Sequence, residues 1–341
     1  MKLIIQIPCL NEREHLGETF ADLPRRIPGV DEIEVLVVDD GSTDGTSDYA
    51  AELGVHHVVR FPVNRGLSAA FTAGMDASLR LGADLIVNTD ADHQYAGDDI
   101  ARLLEPILSG EADVVVGDRD PANLAHFSPP KRLLQAWGSR LVRAVSATRV
   151  ADSTSGFRAY SRKAALSVFV HNRFTYTLET IIQAGRTGIA TANVRVRTNE
   201  KTRESRLFSS IPQYLRRNGP VIFRSYGMYR PFQSFAYLAL ALLVVGLFGV
   251  GRFLYFYLVD PSYSGHTQSL VLGVGAVTLA FMVGVVALVG ELIAANRRLV
   301  EEVLVHVRRL DADRGVEARA RGAPVDGIRS TGAATWRRAE P

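Results

Sequence analysis

Short apolar runs alternate with amphipathic stretches over about the first 120 residues of the chain. The runs at 3–7, 33–38, 55–61, 84–88 and 112–117 are rich in Val and Ile, which is typical of buried strands. Helical spacing occurs between them, over 12–23, 44–53, 66–81 and 98–108. Continuous apolar strands that alternate with helices predict an α/β fold, with a mostly parallel sheet and helices on both of its faces.

The pattern loosens beyond residue 150. The segment "DSTSGFRAYSRKAAL" (152–166) predicts a turn that enters a helix, and a second helix and a strand are predicted over 176–184 and 189–198. We expect the catalytic domain to comprise residues 1–208.

Two long stretches without charge stand in the last third of the chain, at Pro231–Gly251 and Ser269–Gly290. Each is long enough to cross about 30 Å of hydrocarbon. We predict a transmembrane hairpin over 231–295, with spans at about 232–258 and 269–291. The connecting loop has no Lys or Arg and arginines flank both spans, which predicts a multi-pass protein of the cell membrane with the catalytic domain and both termini cytoplasmic.

The segments around the hairpin are predicted from composition. Residues 209–230 mix arginines with large apolar side chains, which is typical of amphipathic helices lying at a membrane interface. A charged cytoplasmic helix is predicted over 296–313 and a disordered tail over 314–341. No signal peptide is apparent, because the apolar run at the N-terminus is short and Pro8 interrupts it.

Overall composition narrows the classes of function. The chain has 341 residues, of which 47% are hydrophobic, so it can bury a large core. Its single cysteine, Cys9, excludes an internal disulfide framework and a cysteine-rich zinc site. The formal net charge is +3 and we expect no nucleic-acid partner.

Polar side chains cluster where the predicted strands end. "LIVNTDADHQ" (85–94) runs from a buried strand into Asp90, Asp92 and Gln94. Clustered carboxylates raise one another's pKa unless a cation binds between them. Two carboxylates and an amide suit Mg²⁺ or Mn²⁺ with positions left for phosphate oxygens, whereas His93 is expected to point away. The sequence therefore predicts a metal–diphosphate site at the carboxyl ends of the strands.

Two further sets of residues complete the candidate site. Asp39 and Asp40 follow the second strand, where carboxylates can accept hydrogen bonds from a ribose or a base. The chain has neither GxxxxGK[ST] nor GxGxxG after the first strand, which argues against an ATPase or a dinucleotide enzyme. Basic residues gather between this site and the membrane and could receive an anionic lipid headgroup; they are Arg119, Lys131, Arg132, Arg158, Lys201, Arg203 and Arg206.

Six ordered motifs resemble those of the family 2 glycosyltransferases of GT-A fold, in particular the polyprenyl-phosphate sugar transferases related to dolichol-phosphate mannose synthase. They are "IPCLNE", "VVDDGSTDGT", "DADHQ", "GDR", "DSTSGFRAY" and "RESRLF", within about residues 1–210. The resemblance implies that Pro8, Leu10, Glu12, Asp39, Asp40, Asp90 and Arg206 bind the nucleotide sugar. It implies that Asp90, Asp92 and Gln94 hold the metal, and that Asp90, Asp92 and Arg119 are catalytic. It further implies that the lipid phosphate binds at Arg119, Lys131, Arg132, Ser155, Arg158, Lys201 and Arg203.

The expected function is therefore that of a metal-dependent, inverting hexosyltransferase. It would move one sugar from a UDP-hexose or GDP-mannose to undecaprenyl or dolichyl phosphate on the cytoplasmic leaflet. Nucleotide sugar, polyprenyl phosphate and membrane lipid are the expected partners, and the hairpin is a candidate surface for homo-oligomer formation. A processive polysaccharide synthase of the same fold and a non-catalytic nucleotide-sugar-binding scaffold are the alternatives.

Overall fold

The alternating strands and helices predicted for the first 120 residues are present in the computed structural model. The structure describes residues 1–119, 150, 152–170, 176–199, 231–259 and 267–337. The chain divides into two compact units, one comprising Met1–Ile222 and Leu304–Pro341 and the other Phe223–Val303. The predicted interfacial segment 209–230 lies outside the described residues.

The first unit contains nine strands within the described residues. They are β1 Lys2–Cys9, β2 Glu32–Asp39, β3 His57–Arg60, β4 Leu85–Asn88, β5 Val114–Asp118, β6 Arg158–Ser161, β7 Thr191–Arg195, β8 Arg329–Ser330 and β9 Trp336–Arg337. The described helices are α1 Arg13–Asp22, α2 Thr46–Glu52, α3 Leu67–Arg80, α4 Asp99–Leu108, α5 Arg162–Ser167, α6 Thr177–Thr187, α7 Pro231–Val259 and α8 Thr267–Ala320.

The strands form one mixed sheet in the order β7-β5-β6-β4-β1-β2-β3-β8, with β9 paired to β2. β1, β2, β3 and β4 run parallel, as predicted. β6 lies antiparallel between β4 and β5. The sequence predicted a turn at this position, and the four-residue strand was missed because its pairing partners are distant in the chain.

Helices cover both faces of the sheet, and two apolar clusters result. Leu3, Ile5 and Ile7 of β1 pack into one cluster, and Ile4 packs into the other. Side chains alternate along a strand, so a strand buried on both faces is apolar at nearly every position. The core thus explains why the strands were visible as continuous apolar runs.

The C-terminal segment packs against this sheet, which corrects two predictions. The helix predicted at 296–313 is part of α8, which continues to Ala320, and the disordered tail predicted from 314 is wrong for residues 314–337. β8 pairs with β3 and β9 with β2, both antiparallel. Ala312 and Ile328 are buried in the apolar cluster on one face, and Trp336 packs against the other cluster. A few well-placed apolar anchors order a segment whose overall composition is polar.

Arg308 fastens this segment to the sheet's helices. Its Nε lies 2.6 Å from Asp76 Oδ1 of α3. Its Nη1 donates to the backbone oxygens of Val168 at 2.6 Å and Ala165 at 3.0 Å. These carbonyls lie at the end of α5, where they lack partners within the helix, so the arginine acts as a C-terminal cap.

Arg319 makes a second attachment, to a buried carboxylate in the middle of β2. Its Nη1 donates to Glu34 Oε2 at 2.9 Å, and Lys2 Nζ and His57 Nε2 lie 2.7 and 3.0 Å from the same oxygen. Burial on its own raises the pKa of Glu34, but the hydrogen bonds from His57 and Arg319 and the Lys2 charge hold it well below its usual value. The ionised carboxylate therefore helps to hold the C-terminal segment on the sheet.

The second unit contains α7 and the first part of α8, which match the two predicted spans. Both helices are long and apolar enough to cross a membrane. They approach closely through glycines: a Cβ built on Gly246 would lie 2.8 Å from the backbone nitrogen of Val277, and one on Gly273 would lie 2.7 Å from that of Val250. Small residues let membrane helices pack backbone to backbone, so this unit is a helical hairpin suited to a bilayer.

Candidate active site

The parallel strands β1, β2 and β4 bring their carboxyl ends to one edge of the sheet. In register, Cys9 pairs with Asp39 and Gln6 pairs with Asn88. Burial, and then the charges of Glu12, Asp39, Asp44 and Asp90, raise the pKa of the Cys9 thiol well above its usual value. Four carboxylates at or after three strand ends thus act on one buried thiol at this edge of the sheet.

Asp39 and Asp40 hold the loops beside this edge. Asp39 Oδ1 accepts a hydrogen bond from the backbone N–H of Ser42 at 2.8 Å. The two oxygens of Asp40 accept from the backbone N–H groups of Arg65 at 2.7 Å and Gly66 at 2.9 Å, directly before α3. Both side chains are almost completely buried. Their oxygens therefore shape the loops around the predicted nucleotide site, whatever they contribute to the nucleotide itself.

The half-buried carboxylate of Asp90 lies against the backbone of Gly156. A Cβ built on Gly156 would lie 2.8 Å from Asp90 Oδ1 and 2.9 Å from Oδ2. The backbone of Gly156 is fixed on both sides, because Asn88 Nδ2 donates to its oxygen at 2.8 Å and Tyr95 Oη accepts from its N–H at 3.3 Å. Only glycine fits at this position without moving the aspartate.

Asn88 belongs to a buried chain of polar groups behind the site. Gln6 Nε2 donates to Asn88 Oδ1 at 2.8 Å, and Asn88 Nδ2 also donates to Tyr176 Oη at 2.9 Å. Burial raises the pKa of Tyr95 to about 12, so its hydroxyl stays protonated at neutral pH. These neutral hydrogen bonds fix the loop carrying Gly156 without adding charge to the site.

Arg119 follows β5 and is held beside the carboxylates. Its Nε and Nη2 bond Asp152 Oδ2 and Oδ1 at 2.7 and 3.2 Å, and Nη2 also donates to Thr154 Oγ1 at 3.0 Å. Burial on its own lowers the pKa of Arg119, but interactions with Tyr95, Asp152 and Asp90 outweigh it and keep the guanidinium charged. Burial on its own raises the pKa of Asp152, and the Arg119 charge lowers it below its usual value. The bonds to Asp152 and Thr154 fix the orientation of the Arg119 guanidinium beside the segment that carries Gly156.

Comparison with known proteins shows the family to which the chain belongs. The model of the family described as glycosyl transferase family 2 matches residues 4–169. Polyprenol monophosphomannose synthase of Mycolicibacterium smegmatis is 31% identical over 211 residues, which cover 59% of this chain and 78% of that protein. The chain belongs to glycosyl transferase family 2. Undecaprenyl-phosphate mannosyltransferase of Micrococcus luteus is 37% identical over 166 residues, covering 47% of this chain and 66% of that protein.

The family assignment agrees with the three-dimensional fold. Glucosyl-3-phosphoglycerate synthase from Mycobacterium tuberculosis, solved in complex with uridine diphosphate, superimposes with a TM-score of 0.50 at 21% identity. The match covers 66% of this chain and 80% of that one. The predicted GT-A type of fold is confirmed, and the sheet described above is that of a glycosyltransferase.

Two residues predicted to bind the lipid phosphate have side chains that are buried in the first unit. Arg158 is fully buried and donates to the backbone oxygens of Ser155 at 2.8 Å, Ser153 at 2.9 Å and Thr177 at 2.8 Å. Ser155 is also fully buried, and its hydroxyl accepts the N–H of Phe157 at 3.3 Å. Both predictions are wrong, because these side chains shape the loop that carries Gly156 and do not reach the surface where a phosphate could bind.

The other predicted residues divide into two groups. Pro8 is in β1, and Leu10, Glu12, Asp92 and Gln94 lie in the loops after β1 and β4, at the same edge of the sheet. Leu10 is 36% exposed, Glu12 is buried, and Asp92 and Gln94 are half-buried. Five predicted residues lie outside the part of the chain that the structure describes; they are Lys131, Arg132, Lys201, Arg203 and Arg206.

Sequence reasoning missed three residues that organise the site. Asp152 and Gly156 stand in "DSTSGFRAY", a motif recognised as a unit in which only the serine and the arginine were given roles. Asn88 had a signal of its own, since a polar side chain inside an otherwise apolar buried strand needs hydrogen-bond partners. Within this segment, Asp152 bonds Arg119 and Gly156 lies against Asp90.

Proposed function

We propose that this protein transfers one sugar from a nucleotide diphosphate sugar to a polyprenyl phosphate at the membrane. One geometric observation carries the proposal: the segment 152–156 holds the Arg119 guanidinium through Asp152 at 2.7 Å, and through Gly156 it lies directly against the Asp90 carboxylate. The names of relatives support the acceptor, since they include a polyprenol monophosphomannose synthase and an undecaprenyl-phosphate mannosyltransferase.

The donor site is proposed at the carboxyl ends of β1, β2 and β4. The oxygen donors of Asp90, Asp92 and Gln94 suit Mg²⁺ or Mn²⁺, and Gly156 leaves no side chain over the Asp90 carboxylate. Among the residues that the structure describes there is no cluster of three or more His, Cys, Asp or Glu suited to a metal ion. A site formed by two carboxylates and an amide would leave positions open for phosphate oxygens of the donor. Asp90, Asp92 and Gln94 would hold such an ion, whose charge would offset the negative charge of the leaving diphosphate. The remaining predicted nucleotide-sugar residues are Pro8, Leu10, Glu12, Asp39, Asp40 and Arg206.

The negative charge of the acceptor phosphate must be offset, but no general base is needed to remove a proton from it. A phosphate monoester is already ionised at neutral pH, so its oxygen can attack the sugar without a strong general base. The obstacle is repulsion between two anions, and the fixed charge of Arg119 reduces it where the two meet. Asp152 and Thr154 hold that guanidinium in place before either substrate binds, so no reorganisation is needed during the reaction. A single displacement by the phosphate inverts the anomeric carbon.

The membrane hairpin is proposed to be an insertion within the catalytic unit. Leu304–Pro341 belongs to the same compact unit as Met1–Ile222, so the chain leaves that unit before the hairpin and returns to it afterwards. Two spans return a chain to the side from which it started, which supports a hairpin with both ends on the catalytic side. The flanking arginines favour the cytoplasmic side. Anchoring replaces a search in three dimensions with proximity to the lipid acceptor.

The experiment uses membranes that contain the full chain, undecaprenyl or dolichyl phosphate, and a panel of labelled UDP- and GDP-sugars. After lipid extraction we expect one sugar added to the polyprenyl phosphate, with the product lost in Asp92→Asn and on chelation of divalent metal. Ser109→Ala is the matched control, since this exposed hydroxyl donates only to Pro106 O among the described residues, at the far end of α4. A polymeric product would favour the processive synthase, and donor binding without product would favour the scaffold.

A further inference from the structure

Residues of two segments distant in the chain make hydrogen bonds to the backbone of the loop that carries the proposed metal ligands. It runs from Asp90 to Gln94 after β4. One contact comes from α1 and the other from the chain that follows β7. Neither of the contacting side chains belongs to the motifs recognised in the sequence.

The first contact is made by Thr19 of α1, which is 4% exposed. Its hydroxyl donates to the backbone oxygen of Ala91 at 2.9 Å and accepts from the N–H of His93 at 3.0 Å. These two groups belong to the peptide bonds on either side of Asp92. One hydroxyl therefore fixes both peptide planes that set the direction of the Asp92 side chain.

The second contact, made by Asn199, holds both peptide groups that flank Gln94. The backbone N–H of Asn199 donates to the oxygen of Gln94 at 2.9 Å, and Asn199 Nδ2 donates to the oxygen of His93 at 3.0 Å. These carbonyls belong to the peptide bonds that flank Gln94. The neighbouring bridge between Tyr95 and Thr198 continues the contact as a short antiparallel pairing. Asn199 thus fixes Gln94 as Thr19 fixes Asp92.

The backbone between the two ligands is strained, which shows that these bonds constrain it. His93 has φ of 52°, in the left-handed region that side-chain-bearing residues seldom adopt. Such a conformation persists only where surrounding contacts impose it. The turn at His93 lies between the residues held by Thr19 and Asn199. The His93 ring is 3.2 Å from Asn199 Nδ2, so it faces the rear of the loop.

We propose that Thr19 and Asn199 are positioning residues, which set the directions of Asp92 and Gln94 for binding a divalent cation; this rests on the proposed function. Neither residue is proposed to touch the ion. Small cations of the Mg²⁺ class require nearly ideal octahedral geometry, so a loop free to turn at either ligand binds them less tightly. Residues that orient metal ligands typically contribute about 10- to 100-fold in affinity.

The test measures Mn²⁺ binding by electron paramagnetic resonance on the full-length protein, with UDP or GDP present according to which the wild type binds. Thr19→Val removes the hydroxyl at nearly constant volume, and Asn199→Ala removes the side-chain donor. For each we expect the Mn²⁺ dissociation constant to rise about 10-fold. Thermal unfolding is measured in parallel, and binding is compared at a temperature where every variant is folded. Thr19→Ser keeps the hydroxyl and should restore binding close to that of the wild type, and it serves if Thr19→Val does not fold.

Each outcome is decisive. If the wild type binds Mn²⁺ and Asp92→Asn abolishes that binding, while Thr19→Val and Asn199→Ala bind as tightly as the wild type, the positioning inference is overturned and the proposed metal site stands. If the wild type shows no Mn²⁺ site that depends on Asp92, the proposed metal site is wrong, and the positioning inference that rests on it is wrong as well. A failure of Thr19→Ser to restore binding would mean that Thr19 acts through packing and not through its hydroxyl.

Discussion

Replacing Gly156 by alanine should disturb the reacting centre without disturbing the fold. Gly156 is not among the glycines with positive φ, so alanine can adopt its backbone conformation. The added methyl group would lie 2.8 and 2.9 Å from the Asp90 oxygens and 3.0 Å from Tyr176 Oη. Ordinary C···O contacts begin at about 3.3 Å, so the carboxylate must move by roughly 0.5 Å.

That displacement sets the expected magnitude. A misplacement of about 1 Å at a reacting centre can cost on the order of 100-fold in rate. Half of that distance should cost on the order of 10-fold, or about 1.4 kcal/mol of transition-state stabilisation. The backbone of Gly156 cannot easily retreat, because Asn88 and Tyr95 hold it on both sides.

The assay is the rate of sugar transfer to polyprenyl phosphate, with the dependence on divalent metal measured in parallel. Gly284→Ala is the matched control, because no described atom lies within 4 Å of a Cβ built there. Gly156→Ala should be slower and need more metal for half-maximal rate, whereas Gly284→Ala should match the wild type. A Gly156→Ala enzyme with the wild-type rate and metal dependence would show that the position of the Asp90 carboxylate is not important for the reaction.

Three further predictions concern the C-terminal segment and the hairpin. Arg308→Ala should destabilise the first unit by about 2–3 kcal/mol in thermal unfolding, since charged hydrogen bonds are lost, whereas exposed Arg309→Ala should change stability by less than about 0.5 kcal/mol; equal effects would mean that the segment is not docked. Glu34→Gln should cost about 3 kcal/mol at neutral pH. The folded-state pKa of Glu34 is depressed, so its contribution is present above the unfolded pKa of about 4.3. The difference from wild type should therefore shrink as the pH falls below that value, and a constant difference would refute the ionised contact. Gly273→Leu should unfold the hairpin at lower SDS concentration than Gly275→Leu, followed by circular dichroism; the reverse order would contradict the glycine contact.

The residues whose place in the fold is easiest to infer from sequence are those that follow strand ends. Asp90, Asp92 and Gln94 follow a buried apolar strand, and parallel topology then requires that they meet Asp39 and Asp40 at one edge. Arg119 belongs to the same class, since it follows β5. The pattern of apolar residues shows where each strand ends, and parallel pairing brings those ends to one edge of the sheet. The location of these residues could therefore be inferred without coordinates.

Arg158 shows where such inference stops. Arg119 and Arg158 are both arginines in recognised motifs, but the first lies at the site and the second is fully buried under backbone carbonyls. The difference depends on β6, which is held between strands distant in the chain. Thr19 and Asn199 left no local signal either, because their role exists only once three segments far apart in sequence have come together.

The C-terminal segment was misjudged for a related physical reason. Its Gly, Ala and Arg content predicts weak burial. Composition cannot show that Arg308 bonds α3 and the end of α5, or that Arg319 bonds Glu34 of β2. Order in this segment comes from two charged attachments and a few apolar anchors. The return of the chain to the catalytic unit makes the hairpin an insertion, which a linear division of the sequence into domains does not reveal.

The central claim is that the carboxyl ends of β1, β2 and β4 form the donor site. It is tested most directly by an anomalous-difference map from crystals of the full chain grown with Mn²⁺ and UDP or GDP. We predict one strong peak in contact with the oxygens of Asp90 and Asp92 and the nucleotide's diphosphate, with the base toward Asp39. A map with the nucleotide bound elsewhere and no metal at these aspartates would contradict the account.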